Sequence, residues 1–392
     1  MAELKKNAAK RKKRKLILFI IEIAILAVVL VALYFYQKLN LLDTSYQVDE
    51  SQIQVNDVEE DTLATFEGYT TIAVFGLDNR TQGVYSSGNS DVIIILNINN
   101  DTKEMSMVSV YRDTYLNVAA VDEDDKFRKC NSAYAYGGVE QAITMLNRNL
   151  DLDIDNYLCV DFGAVAEAIN ILGGVEIDIE SEEELYWLNA YMDDTNRNLG
   201  TDEDYVSGTG TQTLTGVQAV AYSRIRYTSG NDYKRAERQR RVISQMFEKA
   251  KSANLSQINE LIDTVFPDIQ TDLSKKDILT MATAFLNYDL SSSGGFPYYK
   301  TTMTISSTTG DVVVPLDLES NVIALHEQLF GTENYTPSST VQEYSDYIID
   351  MTGLDADDAV EDSFTDSDDF TGSGNTDSND SETDDDSEDD EE

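Results

Sequence analysis

From Leu16 to Tyr36 the chain is apolar for 21 residues, interrupted only by Glu22. As a helix at ~1.5 Å per residue, such a run spans roughly the ~30 Å hydrocarbon layer of a bilayer. Eight basic residues lie between Lys5 and Lys15 against the single acid Glu3, and the next cation is Lys38. The basic side of a spanning helix stays in the cytoplasm. The expectation is therefore a cytoplasmic segment 1–15, one transmembrane helix 16–36, and everything beyond it outside the cytoplasm, at the cell membrane. The run exceeds the apolar core of an ordinary signal peptide and no small-residue cleavage pattern follows it.

Charge limits what the exported part can do. The 392-residue chain carries a net charge of -43, and its last segment, 355–392, has 19 acids and no Lys or Arg. That tail, built of Asp, Glu, Ser, Thr and Gly, cannot bury enough surface to fold. The stretch between anchor and tail is also acidic, which repels nucleic acid. A single histidine, His326, argues against Ser-His-Asp, Cys-His and histidine-zinc chemistry. Cys130 and Cys159 match no metal spacing. An exported location permits a disulfide between them, although two inert buried thiols are the favoured reading.

The remaining residues are enough for one large domain. Thr70–Leu77, Asp91–Asn97 and Met105–Tyr111 read as strands. Val139–Leu150 has helical spacing, Tyr157–Val160 is a short strand, and Gly163–Leu172 is a helix closed by Gly173-Gly174 before strand Val175–Ile179. Asp232–Lys251, Lys275–Leu286 and Leu318–Phe330 read as further helices. The order points to α/β layers, with a polar stalk at 37–68, the domain at 69–332 and an extension at 333–354.

The positive charge is unevenly placed. Of 21 basic residues between 37 and 354, seven lie within Arg224–Arg241. Read as a strand, Arg224 and Arg226 project to one side; on the following helix Arg235 and Arg238 share a face with Gln239 adjacent. Single arginines in so acidic a domain pair with Asp or Glu. Four that converge read as a phosphate or pyrophosphate site, because guanidinium binds phosphate bidentately and keeps its charge. Asp78 follows the strand ending at Leu77 and Asp91 opens the next, so neighbouring strands would bring two hard oxygen ligands together in a manner that suits magnesium. Arg112-Asp113 follows a third strand.

These residues, in order and spacing, resemble the LytR-CpsA-Psr family of bacterial wall enzymes. The resemblance runs from Tyr69 to about Phe330 through Gly76-Leu77-Asp78-Asn79-Arg80, Ser90-Asp91, Arg112-Asp113-Thr114, Lys129-Cys130-Asn131-Ser132-Ala133, Leu172-Gly173-Gly174-Val175, Leu214-Thr215-Gly216-Val217-Gln218-Ala219, Arg224-Ile225-Arg226 and Asp232 to Gln239. It implies a three-layer α/β domain with a central mixed β-sheet flanked by helices. It also implies a phosphotransferase that takes a glycopolymer, such as teichoic acid or capsular polysaccharide, from undecaprenyl pyrophosphate to a peptidoglycan hydroxyl through a phosphodiester. On the matching positions the resemblance implies that Asp78 and Asp91 would hold Mg2+. Arg112, Lys129, Arg224 and Arg226 would grip the pyrophosphate, Asp232, Arg235 and Gln239 would line the same pocket, and Arg80 belongs to the first motif. Two departures stand out: Asn89 replaces a usual Arg, and Tyr111 a common Pro.

The chemistry expected is attack by a sugar hydroxyl on the polymer-linked phosphorus, with Asp113 and Asp232 as candidates for the proton and the lipid in an apolar groove between sheet and helices. Two rival classes keep parts of the pattern. A non-catalytic polyprenyl-pyrophosphate-binding regulator needs the arginines but not Asp78 and Asp91. A structural tether explains neither.

Overall fold

Alternation along two strands decides the architecture. In β1 (Tyr69–Leu77) and β2 (Ser90–Asn99) every second residue points to the same side of the sheet, and both sides are apolar. Ala73, Phe75, Leu77, Ile93 and Ile95 enter the main core. Val74, Gly76, Val92 and Ile94, paired Val74 to Ile94 and Gly76 to Val92, face the other way. A sheet apolar on both faces has to be covered on both.

The computed structural model describes residues 34, 36–44, 46–77, 85, 88–227 and 231–358. Of the expected membrane helix only Tyr34 and Tyr36 fall among them, and the tail beyond 358 lies outside them. No helix of the described residues is long and apolar enough to cross a membrane.

Helix α1 (Glu60–Phe66) precedes β1, and β3 (Glu104–Val110) follows β2. A short ribbon of β4 (Tyr115–Asn117) and β5 (Phe127–Lys129) leads into α2 (Ser132–Leu150). Next come β6 (Asn156–Asp161), α3 (Phe162–Ile171), β7 (Val175–Ile179), α4 (Glu182–Leu199), β8 (Gly210–Leu214), α5 (Gly216–Ser223), α6 (Asn231–Ser252) and α7 (Leu255–Val265). The chain continues through β9 (Ile269–Thr271), α8 (Lys275–Ala284), β10 (Asp289–Phe296), β11 (Lys300–Ser306), β12 (Gly310–Pro315), α9 (Leu318–Phe330) and α10 (Ser339–Thr352). The central sheet has six strands in the order β10-β3-β2-β1-β6-β9. It is mixed: β1-β2, β2-β3 and β6-β9 are antiparallel, whereas β1-β6 and β3-β10 are parallel.

On one face α2, α9 and α10 close the main core through Ile143, Leu146, Val322, Leu325, Val341 and Ile348. Each such side chain contributes roughly 1.5–3 kcal/mol on burial. On the opposite face α3, α6 and α7 stand over the sheet but leave an apolar cavity of about 390 Å³. A second cluster, built on the antiparallel pair β7-β8 with α4 and α5, packs Ile177, Leu188, Met192 and Tyr222 together.

The acidic segment expected to be a stalk is partly folded onto the domain. Leu42 is buried, and Asp43 exchanges backbone hydrogen bonds with Ile269 and Thr271 at 3.1 Å each. Tyr46 donates to Glu140 at 2.5 Å, Asn56 donates to Asp151 at 2.6 Å, and Val48 and Ile53 pack on the core. Lys38 pairs with Asp263 of α7, and Tyr34 hydrogen-bonds Asn259.

Candidate functional site

The turn after β3 presents Arg112 and Asp113, and three backbone ties fix it. Cys130 N donates to Thr114 O at 2.8 Å, Asn131 N to Arg112 O at 3.1 Å, and Val313 N to Asp113 O at 2.9 Å. The thiol of Cys130 lies 3.2 Å from Tyr111 O and 3.3 Å from Arg112 O. The motif Lys129-Cys130-Asn131 thus supports the turn and aims Lys129 at Asp113, Nζ to Oδ1 3.3 Å. Arg112 reaches Asp91 at 2.6 Å and Asp113 at 3.7 Å.

The second half of the site hangs on α5. Its N-terminus is a capping box: the Thr215 side chain accepts from Gln218 N, and Gln218 Oε1 accepts from Thr215 N at 3.0 Å. Gly216 lets α5 lie against α3, since a Cβ there would sit 1.9 Å from Ala166 O. Arg224 is the C-cap of this helix and Arg226 follows in the turn. The two arginines expected on a strand therefore lie on a helix exit. Ile225 between them is buried, which produces the same in-out alternation. Arg224 donates to Asp194 at 2.9 Å and Thr195 at 3.2 Å, both on α4. Asp232 and Arg235 enter from the first turns of α6. Asp232 Oδ1 lies 3.1 Å from Arg235 and 3.9 Å from Arg226.

A cleft of about 300 Å³ is lined by Asp91, Arg112, Phe162, Tyr191, Arg224, Arg226, Arg235 and Gln239. It adjoins two other spaces. Through Phe162 and Gln239 it shares walls with the apolar cavity under α3 and α6. Through Arg112 and Arg226 it borders a polar cleft of about 450 Å³ that includes Asp113, Lys129 and Asp232.

Electrostatics follow from this crowding. Burial, with Arg112 and Arg226 close by, brings Arg235 down to about 10 against the pull of Asp232, so it stays charged at neutral pH. Burial disfavours the charge of Arg112, but Asp91 and Asp113 outweigh it and raise its pKa. Burial likewise pushes the Asp113 carboxyl up, with Asp232 adding to the shift and Arg112 opposing it. Burial acts the same way on Asp232, yet Arg235 and a hydrogen bond from Asp113 hold it below the usual carboxylate range. The same surroundings thus push the two acids in opposite directions.

The structure gathers Arg112, Arg224, Arg226, Arg235, Gln239 and Asp91 on one cleft, with Lys129, Asp113 and Asp232 beside it. Arg238, expected among the converging cations, turns away: its Nε binds Glu184 at 2.8 Å and it is buried against α4. Lys234 and Arg241 also serve ion pairs, with Glu237 and Glu180. The fourth guanidinium of the cleft is Arg112. Asp78 and Arg80 lie outside the described residues, and among those described no cluster of three metal-ligating side chains occurs. Leu77, just before Asp78, pairs with Ser90, just before Asp91. Phe162, Tyr191, Asp194, Tyr227 and Tyr233 escape a reading of the sequence, because their neighbours are distant in the chain.

The LytR_cpsA_psr family model matches residues 29–293. The chain belongs to the LytR-CpsA-Psr family. A relative from Enterococcus faecalis, polyisoprenyl-teichoic acid–peptidoglycan teichoic acid transferase TagU, is 31% identical over 283 residues, covering 70% of this chain and 84% of the relative. Two solved LytR-CpsA-Psr folds superimpose on it. TagT bound to LI-WTA gives a TM-score of 0.52 at 21% identity, over 79% of this chain and 100% of that one. TagV from Bacillus subtilis gives 0.52 at 22%, over 69% and 98%. These likenesses match the mixed sheet flanked by helices.

Proposed function

We propose that this family member is an extracytoplasmic, membrane-anchored phosphotransferase that moves a glycopolymer from undecaprenyl pyrophosphate to peptidoglycan. The observation that carries the reading is the shared wall at Phe162 and Gln239. There a cleft with four guanidinium groups adjoins an apolar cavity. A pyrophosphate head with a polyprenyl tail is the chemistry that fills both, with each buried methylene contributing about 0.8 kcal/mol. The name of the Enterococcus faecalis relative, with its polyisoprenyl-linked donor and peptidoglycan acceptor, supports the same assignment.

In this reading Arg112, Arg224, Arg226 and Arg235 hold the two phosphates, Arg224 steadied by Asp194 and Arg226 by Asp232. The acceptor oxygen bonds to the polymer-linked phosphorus. The bond from that phosphorus to the bridging oxygen breaks, and undecaprenyl phosphate leaves with the electron pair. The hydroxyl proton passes to the Asp113-Asp232 pair, which holds at least one ionised carboxylate at neutral pH. Fixed guanidinium groups stabilise the charge spread over the equatorial and leaving oxygens.

Magnesium suits the chemistry of the one proposed ligand among the described residues. Asp91 supplies a hard oxygen at the cleft wall, of the kind the ion takes. Asp78 and Asp91 would hold it, and when bound it would neutralise charge on the phosphate oxygens.

The test uses the full-length chain in detergent with a polyprenyl-pyrophosphate-linked glycan and a peptidoglycan oligomer. Magnesium-dependent transfer that releases polyprenyl phosphate is expected. Tight lipid binding with no transfer to any wall acceptor would make the chain a regulator instead.

A further inference from the structure

The arginine cleft has two neighbouring spaces, and it meets them through different residues. Phe162 and Gln239 line it together with the apolar cavity; Arg112 and Arg226 line it together with the polar cleft. An in-line displacement brings the nucleophile in from the side away from the leaving group. With the departing lipid in the apolar cavity, the incoming hydroxyl has the polar cleft.

The lining of that cleft suits a sugar. Two aromatic rings, Tyr227 and Tyr233, stand among groups that donate and accept hydrogen bonds, including Lys129, Thr302 and Asp311. Sugar rings present C–H faces to aromatic rings and hydroxyls to such polar groups. Tyr233 is braced: its ring lies 5.0 Å from that of Tyr111, Lys300 Nζ stands 4.9 Å above it, and its hydroxyl is 3.0 Å from Thr302 Oγ1. Tyr111 is itself buried, against Gly295, where a Cβ would fall 2.1 Å from the Tyr111 hydroxyl. Tyr227 rests on Trp187 of α4 at 4.7 Å between ring centres and is 63% exposed.

We propose that this cleft is the acceptor subsite. It takes one saccharide unit of the peptidoglycan glycan, with Tyr227 and Tyr233 as stacking faces and Thr302 and Asp311 as hydroxyl partners. The assignment rests on the transferase reading above. Tyr111, in place of the family's common Pro, shapes the subsite by supporting Tyr233.

Calorimetry on the full-length chain, loaded with polyprenyl pyrophosphate, measures the affinity of a peptidoglycan-derived glycan oligomer. Tyr227→Ala and Tyr233→Leu should each weaken oligomer binding about ten-fold and leave polyprenyl pyrophosphate within about two-fold of the parent. Tyr227 is exposed enough for its loss to spare the fold. Unchanged oligomer affinity in both variants overturns the subsite, as does a parent that binds no oligomer. A loss confined to the glycan-bearing lipid also overturns it, by giving the cleft to the donor polymer. A parent that binds the oligomer through these tyrosines and never transfers keeps the subsite and removes the transferase reading.

Discussion

Asp91 Oδ1 and Arg112 Nη1 stand 2.6 Å apart, so a carboxylate proposed to hold a cation also holds a guanidinium proposed to grip phosphate. Asp91→Ala removes both services. Transfer should fall by about a hundredfold or more, further than lipid affinity falls, because metal-assisted charge stabilisation is greatest as the leaving oxygen develops charge. Initial rates against magnesium concentration, beside equilibrium lipid binding, separate the two. Transfer at the parent's rate would rule out the metal-assisted route.

Arg226, in the turn before α6, and Arg238, twelve residues on within that helix, do different work. Arg226→Ala deletes a phosphate contact worth about 1.5–3 kcal/mol, hence a loss of roughly ten- to a hundredfold in lipid affinity with Tm little changed. Arg238→Ala strands Glu184 in a buried ion pair, a loss of about 3–5 kcal/mol in stability. Thermal unfolding and lipid titration of both variants check the contrast. Equal effects of the two on lipid affinity at full folding would contradict it.

His326 is 1% exposed, stacked at 3.7 Å on Tyr335, with Nε2 3.0 Å from Leu150 O. Burial pushes its pKa down to about 4, below the 6.5 of an unfolded chain. The unfolded state therefore binds a proton that the folded state refuses, and stability drops as pH falls from about 6.5 to 4, by about 1.4 kcal/mol per unit at most. His326→Phe should flatten that part of the curve relative to the parent. Denaturant unfolding at pH 7, 6 and 5 supplies the comparison, and a parallel slope in the variant would refute the assignment.

Cys130 and Cys159 are both buried and unbridged. Burial pushes the pKa of both thiols up, that of Cys159 to about 12, so neither is a ready nucleophile. Alkylation of native protein should modify neither, and unfolding without reductant should expose two. Non-reducing mass spectrometry that shows a Cys130-Cys159 bridge would disprove this.

Much of this was legible in the sequence, where one element's pattern sufficed. Helix α9 runs from Leu318 to Phe330 as its spacing indicates, and the Gly173-Gly174 stop closes α3 through a bond from Gly174 N to Ile169 O of 2.8 Å. Arg-Ile-Arg misled because a helix exit with a buried centre has the same alternation as a strand. Helices α4, α5, α7 and α10 have faces defined by partners elsewhere in the chain, which a local pattern does not show. Arg238 shares a face with Arg235 by spacing alone, but its place is decided by Glu184, 54 residues away. The apolar cavity was expected between sheet and helices; its position needed the even-numbered face of β1 and β2 to be seen uncovered.

The bonds that hold Lys38, Asp43, Tyr46 and Asn56 on the domain leave it without a leash. A head on a long flexible tether sweeps a wide volume and meets targets at a distance. Here that stretch lies along the domain instead: extended, it would have added up to about 3.3–3.6 Å of travel for each of its residues, and laid down it adds none.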